Sequence, residues 1–228
     1  MSPVNQQREV KLMVQTAALA QATVLARFRL RGDDNKFVDV FAERIDHLRR
    51  ASGFVRTVLL RSVRDPRSYA SVGTWTDEWS YRTAARDARF ARHVYGPLNQ
   101  LVDSEIDRTT LVDAGQADGV QDVLRSDRPA VALTTFALKR GVDPLAFEQG
   151  FVAHSAFVRA QDGYLAHELT LLSNRARTYV NLGWWRDKDA YLAVLRSQTM
   201  RADAKTMAGL VDASGELFET VASYEPAS

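Results

Sequence analysis

Tyr179-Val180-Asn181-Leu182-Gly183-Trp184-Trp185 and Tyr69-Ala70-Ser71-Val72-Gly73-Thr74-Trp75 carry tyrosine, glycine and tryptophan at the same places, 110 positions apart. The offset pairs Phe37 with Phe147, Gly53 with Gly163, Leu59 with Leu169 and Arg67 with Arg177. Beyond the tryptophans it pairs Asp77 with Asp187, Tyr81 with Tyr191 and Arg86 with Arg196. Glycines, aromatics and charges recurring in register mark an internal duplication. The period far exceeds the roughly 20–50 residues of solenoid repeats, so each copy is predicted to be domain-sized.

Each copy reads as the same series of elements. Val24, Ala26, Phe28 and Leu30 alternate as a half-buried strand does, and Gly32-Asp33-Asp34-Asn35 turns the chain. Phe37, Val40, Phe41, Ile45 and Leu48 then recur at helical spacing until Ser52-Gly53. Residues 54–63 and 69–75 are rich in β-formers and flank a turn containing Pro66, which predicts a hairpin. Thr76-Asp77-Glu78 supplies a hydroxyl cap and acidic residues for a second helix running to about His93, and residues 104–112 read as a fourth strand. In the second copy residues 131–138, 147–158, 164–172, 178–185 and 189–200 repeat the first strand, the first helix, the two hairpin strands and the second helix.

The order β-α-β-β-α-β is ferredoxin-like. Two such domains are expected at 22–114 and 130–228, with an N-terminal extension over 1–21 and a linker over 115–129. A four-stranded sheet with both helices on one face leaves an apolar face bare. The predicted fold class is therefore α+β, two tandem ferredoxin-like domains packed sheet to sheet as a pseudo-two-fold α+β barrel, with homodimerisation left open.

Composition narrows the function. The 228-residue chain is 46% hydrophobic and 25% charged, an ordinary globular mix. With no cysteine, a disulfide framework, a thiolate nucleophile and a zinc-thiolate site are excluded. The net charge of +2 gives no electrostatic grip on nucleic acid. The stretch 13–26 contains Gln15 and Gln21 and falls short of the roughly 20 apolar residues of a membrane span, so a cytoplasmic location is expected. Four scattered histidines do not suggest a metal site, and the chain has no phosphate loop or dinucleotide fingerprint.

Alternation puts Tyr179, Asn181, Gly183 and Trp185 on one face of their strand and Val180, Leu182 and Trp184 on the other. Strand tryptophans followed by Asp and a helical Tyr (Trp75, Asp77 and Tyr81; Trp185, Asp187 and Tyr191) resemble the antibiotic biosynthesis monooxygenase family over residues 22–112 and 130–222. An Asn four residues before the Trp and a Tyr six after it resemble the pocket of the family's cofactor-independent anthrone oxygenases. Here these are Asn181, Trp185 and Tyr191, whereas the first copy has Ser71 in place of the Asn. The resemblance implies a monooxygenase of aromatic polyketide (antibiotic) biosynthesis that uses dioxygen, with no cofactor and no metal, on a polycyclic phenol or anthrone.

The residue types suit that chemistry. The enolate of an anthrone reacts with dioxygen directly, so the protein has to bind, deprotonate and stabilise charge. The Asn181 amide and the Trp185 indole N–H are candidate oxyanion donors, Tyr191 a proton donor, and His154, on the inward stripe with Phe147, Phe151 and Val158, a candidate base. Trp75, Tyr81, Tyr179 and Ser71 are candidate substrate contacts. His167 is ambiguous between pocket and core, and His47 and His93 are expected to face solvent. Haem-degrading relatives carry a helical His ten residues after the Trp, where this chain has Ala85 and Leu195, which argues against haem. Two alternatives stay open: a ring-opening oxygenase supplied with diffusible reduced flavin by a partner reductase, and a non-oxidative polyketide cyclase or binding protein.

Overall fold

The computed structural model describes residues 21–87, 96–118, 120 and 129–227. The first repeat runs β1 (Ala22–Leu30), α1 (Asp34–Leu48), β2 (Phe54–Ser62), β3 (Ser68–Trp75), α2 (Glu78–Ala85), α3 (Gly96–Leu101) and β4 (Val102–Gln116). The second runs β5 (Ala130–Leu138), α4 (Pro144–Arg159), β6 (Tyr164–Leu172), β7 (Thr178–Trp185), α5 (Lys188–Leu195), α6 (Gln198–Met207) and β8 (Val211–Tyr224). The expectations for residues 1–20 and for the helix end near His93 lie outside the described residues.

The strands form one closed barrel in the order β1-β3-β2-β8-β5-β7-β6-β4, with every neighbouring pair antiparallel. This is the predicted pseudo-dimeric α+β barrel. The two fourth strands do more than the sequence suggested. β4 continues to Gln116 because its first half pairs with β1 and its second half, from Thr109, pairs with β6 of the other repeat. β8 does the same between β5 and β2. Buried Asp107 of β4 adds a polar link, accepting from Arg27 at 2.5 Å and from Arg175 of the second repeat at 3.3 Å.

Alternation sorts the side chains into two layers. Leu25, Val58, Leu60 and Val72 of the first repeat meet Val131, Leu133, Leu182 and Trp184 of the second inside the barrel. On the outer face Val24, Ala26, Phe28 and Leu30 pack against Phe37, Phe41, Ile45 and Leu48 of α1. In the second repeat Phe136 packs against Phe147 and Phe151 of α4.

The recurring Trp-X-Asp motif has a local cause. Asp77 and Asp187 are the N-caps of α2 and α5, their carboxylates accepting from the Ser80 and Ala190 amides at 2.8 Å in both cases. The cap is thus Asp77 and not the neighbouring hydroxyl, since Thr76 Oγ1 bonds to the Asp77 carboxylate. The recurring glycines Gly53 and Gly163, at φ +84° and +78°, lie against these helix starts. A Cβ there would fall 2.5 Å from Ser80 or Ala190.

Two differences from the expected pattern bear on function. Ala22 faces Trp75 and Ala130 faces Trp185, so the first strands correspond at an offset of 108, and the two extra residues lie in the turn between β5 and α4. The single helix predicted over 189–200 is broken, because Ser197 accepts from the Met200 amide and caps a separate α6. Among the described residues no helix is long and apolar enough to cross a membrane.

Gly163→Ala combines a left-handed backbone with a clash and is expected to destabilise the protein by about 1–3 kcal/mol. An unchanged denaturation midpoint would contradict this reading of the glycine.

Candidate active site

The second repeat holds a cavity of about 520 Å³ between the outer face of its sheet and helices α4, α5 and α6. Its existence follows from side-chain size. Ile45 and Leu48 of α1 correspond to Ser155 and Val158 of α4. Ile106, opposite Ala26 on β1, corresponds to Gly215, opposite Thr134 on β5. Among the described residues large apolar groups therefore occupy this layer in the first repeat, and smaller ones line the cavity in the second.

β7 supplies the floor. Asn181, Gly183 and Trp185 line the cavity together, as the alternation predicted. A Cβ on Gly183 would stand 3.3 Å from Trp185 Nε1 and 3.7 Å from Asn181 Nδ2, so the indole and amide nitrogens flank the glycine. An oxygen of a bound molecule over Gly183 would find both donors in reach. Asn181 Oδ1 is buried without a hydrogen-bond partner among the described residues. Such an atom costs about 1–3 kcal/mol unless something else satisfies it.

Trp185 is 2% exposed and wedged between Tyr164 and Tyr191, with ring centroids at 5.8 and 5.6 Å. Trp75 is held the same way by Phe54 and Tyr81. The aromatic clamp thus serves packing in both repeats, and in the second the tryptophan also lines the cavity. Tyr191 lines that cavity, and desolvation raises the pKa of its phenol above the ordinary value, which keeps it protonated.

Two histidines reach the cavity, each bonded to a carboxylate. His154 Nδ1 lies 2.8 Å from Asp203 Oδ2 on α6. A carboxylate accepts, so Nδ1 carries the proton and Nε2 is left as the basic nitrogen. His167 Nε2 lies 3.0 Å from Asp113 Oδ2 on β4, and its Nδ1 lies 2.7 Å from the Tyr164 hydroxyl. The bond from His167 is the main cause holding the Asp113 carboxyl below the ordinary carboxylate range, aided by Arg159. Burial pushes the Tyr164 hydroxyl up to about 12.

Asn181, Trp185, Tyr191 and His154 are thus brought together. Tyr179, expected to contact substrate, is not: it packs on Phe147 at 4.8 Å and donates to Glu148 on α4 at 2.6 Å, which turns it into the core. Trp75, Tyr81 and Ser71 lie buried in the first repeat, outside the lining of this cavity. Asp113 and Asp203 were missed because they come from β4 and α6, far from the tryptophan motif, and no local spacing announces them. Among the described residues no group of three or more His, Asp or Glu forms a metal-holding cluster.

The chain belongs to the antibiotic biosynthesis monooxygenase family, whose model matches residues 22–94 and 110–205. It is 33% identical over 103 residues to the deoxynogalonate monooxygenase of Streptomyces nogalater, covering 43% of this chain and 86% of that protein. The crystal structure of an anthrone oxidase-like protein superposes with a TM-score of 0.71 at 13% identity, covering 92% of this chain and 94% of that one. SnoaB, a cofactor-independent oxygenase from Streptomyces nogalater, is 31% identical over 44% of this chain and 98% of its own, with a TM-score of 0.39. Family membership places the chain among monooxygenases.

Asn181→Leu removes the orphaned acceptor and is expected to leave the protein as stable as wild type or more so; a loss beyond about 1 kcal/mol on denaturation would mean the amide is bonded in the resting protein. Asp113 ionises more readily folded than unfolded, so its contribution is present above the ordinary carboxylate value and is lost as pH falls through the lower folded one. The stability gap between wild type and Asp113→Asn should accordingly be widest near neutrality and close in acid; a gap independent of pH would refute this.

Proposed function

We propose that the second-repeat cavity oxidises a polycyclic phenol or anthrone of aromatic polyketide biosynthesis with dioxygen, using neither a bound metal nor a resident organic cofactor. The observation that carries this reading is the pair of neutral N–H donors converging over Gly183. The cavity volume of about 520 Å³ is that of a site for a multi-ring molecule. The 33% identity to a deoxynogalonate monooxygenase supports the substrate class.

His154 Nε2 removes a proton from the activated CH₂ of the anthrone, and Asp203 steadies the resulting imidazolium. Negative charge moves onto the anthrone oxygen, where Asn181 and Trp185 hold it. The carbanion gives up electrons to dioxygen and forms a C–O bond, and the peroxide anion takes the proton back. Loss of the second C–H proton breaks the O–O bond, leaving a carbonyl and releasing water. One oxygen atom enters the product, the other leaves as water, and the substrate supplies all the electrons. Tyr191, kept protonated by burial, donates to a second substrate oxygen or to the departing one.

Dioxygen uptake on a model anthrone such as dithranol tests this with metal-stripped protein, with and without added reduced flavin. Wild type is expected to exceed autoxidation without flavin, and Asn181→Ala or Trp185→Phe to lose about 10²-fold or more in turnover with the fold intact. Full activity in the double variant, or a strict requirement for flavin, would overturn the proposal.

A further inference from the structure

Three hydrogen bonds run in series along the wall of the cavity. His167 Nε2 is 3.0 Å from Asp113 Oδ2, His167 Nδ1 is 2.7 Å from Tyr164 Oη, and Tyr164 Oη is 2.9 Å from the Gly115 carbonyl. The two ends only accept: Gly115 offers a carbonyl, and Asp113 is a carboxylate stabilised in its charged form. Three bonds need three protons, all from the middle of the chain. Tyr164 has one, so the imidazole must supply two. With a single ring proton, the oxygens of Tyr164 and Gly115 would face each other at 2.9 Å with nothing between them.

We propose that His167 is held as an imidazolium between Asp113 and Tyr164, and that this fixed cation selects ligands whose oxygen over Gly183 is anionic. The first half of the proposal stands on the hydrogen-bond geometry, with the charged state of Asp113 in support; the second rests on the oxygenase reading of the same cavity.

Position and charge agree with this role. His167 pairs with Gly183 across the β6–β7 ladder, so it backs the spot on which Asn181 and Trp185 converge. Arg159 of α4 lies 3.7 Å from Asp113 and also acts on the Tyr164 phenol, so a permanent cation stands beside both partners of His167. Phe151 covers the imidazole at a centroid distance of 5.7 Å. Glu168, next along β6, points to the other face, toward Arg56 at 3.8 Å. The His154–Asp203 pair also lines the cavity.

The internal duplication supplies a control within the chain. At the positions of Tyr164, His167 and Asp113 the first repeat has Phe54, Thr57 and Ala222. Phe54 packs edge-on against Trp75 just as Tyr164 does against Trp185. The phenol oxygen is therefore not needed for the tryptophan clamp, and its use is the bond to His167. Among the described residues the whole series is built in the second repeat, beside the cavity.

Long-range ¹H–¹⁵N spectra of the ligand-free protein near pH 7 test the first half, with His167 assigned by the signals lost in His167→Gln and, independently, by elimination among the four histidines. Both ring nitrogens should appear protonated, and one proton should be lost in Tyr164→Phe, which copies the first repeat. A single ring proton in wild type overturns the imidazolium whatever the activity assays give. Alizarin, whose colour reports ionisation, tests the second half by absorption: bound dye should show the phenolate band at a pH where free dye is neutral, and the band should weaken at least tenfold in Tyr164→Phe. Dye bound in its neutral form to a protein that does hold the imidazolium overturns the anion selectivity alone.

Discussion

Continuous hydrogen bonding around the barrel is the constraint from which the rest of the molecule follows. A four-stranded ferredoxin-like sheet has two open edges and one uncovered apolar face, and both are unfavourable in water. Here the edges are closed by β4 and β8, each long enough to pair with its own repeat along one half and with the other repeat along the second. Closure brings the inner faces together, so Leu25, Val58 and Val72 bury against Val131, Leu133 and Trp184. Neither repeat completes its sheet alone, and β4 also brings Asp113 and Gly115 against His167 and Tyr164, which line the cavity of the second repeat.

Because the barrel accounts for covering the inner faces, the outer layers beneath the helices are free to diverge. In the first repeat Ile45, Leu48 and Ile106 fill the layer with apolar volume. Ser155, Val158 and Gly215 at the same places open it in the second. The same comparison sets Phe54, Thr57 and Ala222 of the first repeat against Tyr164, His167 and Asp113 of the second. In the first repeat the tryptophan clamp is built from Phe54 and Tyr81, while in the second it is combined with polar groups.

The polar groups of the cavity are of two kinds. Asp113, His167, Tyr164 and the His154–Asp203 pair are bonded to one another and fixed before any ligand arrives. Asn181 Oδ1 has no partner among the described residues and sits beside a glycine that keeps the floor low. A preorganised frame around an unsatisfied acceptor suits a ligand that also carries an O–H, since the anionic oxygen over Gly183 can only accept, from Asn181 Nδ2 and Trp185 Nε1, and does not satisfy Oδ1.

Much of this was legible in the residues. Period-two alternation assigned Asn181, Gly183 and Trp185 to one face and Val180, Leu182 and Trp184 to the other, and the 110-residue offset announced two domains. The break before α6 was signalled by Ser197, a good helix cap, and was overlooked. Tyr179 illustrates the limit: alternation puts it on the correct face, yet depth along the strand sends it under Phe147 and Glu148, not into the cavity. By itself the sequence determined the duplication, the β-α-β-β-α order at the start of each repeat and the face each residue of β7 presents, because these depend on local periodicity. Only the tertiary structure decided which layer stays open and which carboxylate meets which histidine. Asp113 lies 54 residues from His167, and Asp203 lies 49 from His154. Contacts at that range are fixed by strand pairing and helix packing, which no short stretch of the chain encodes.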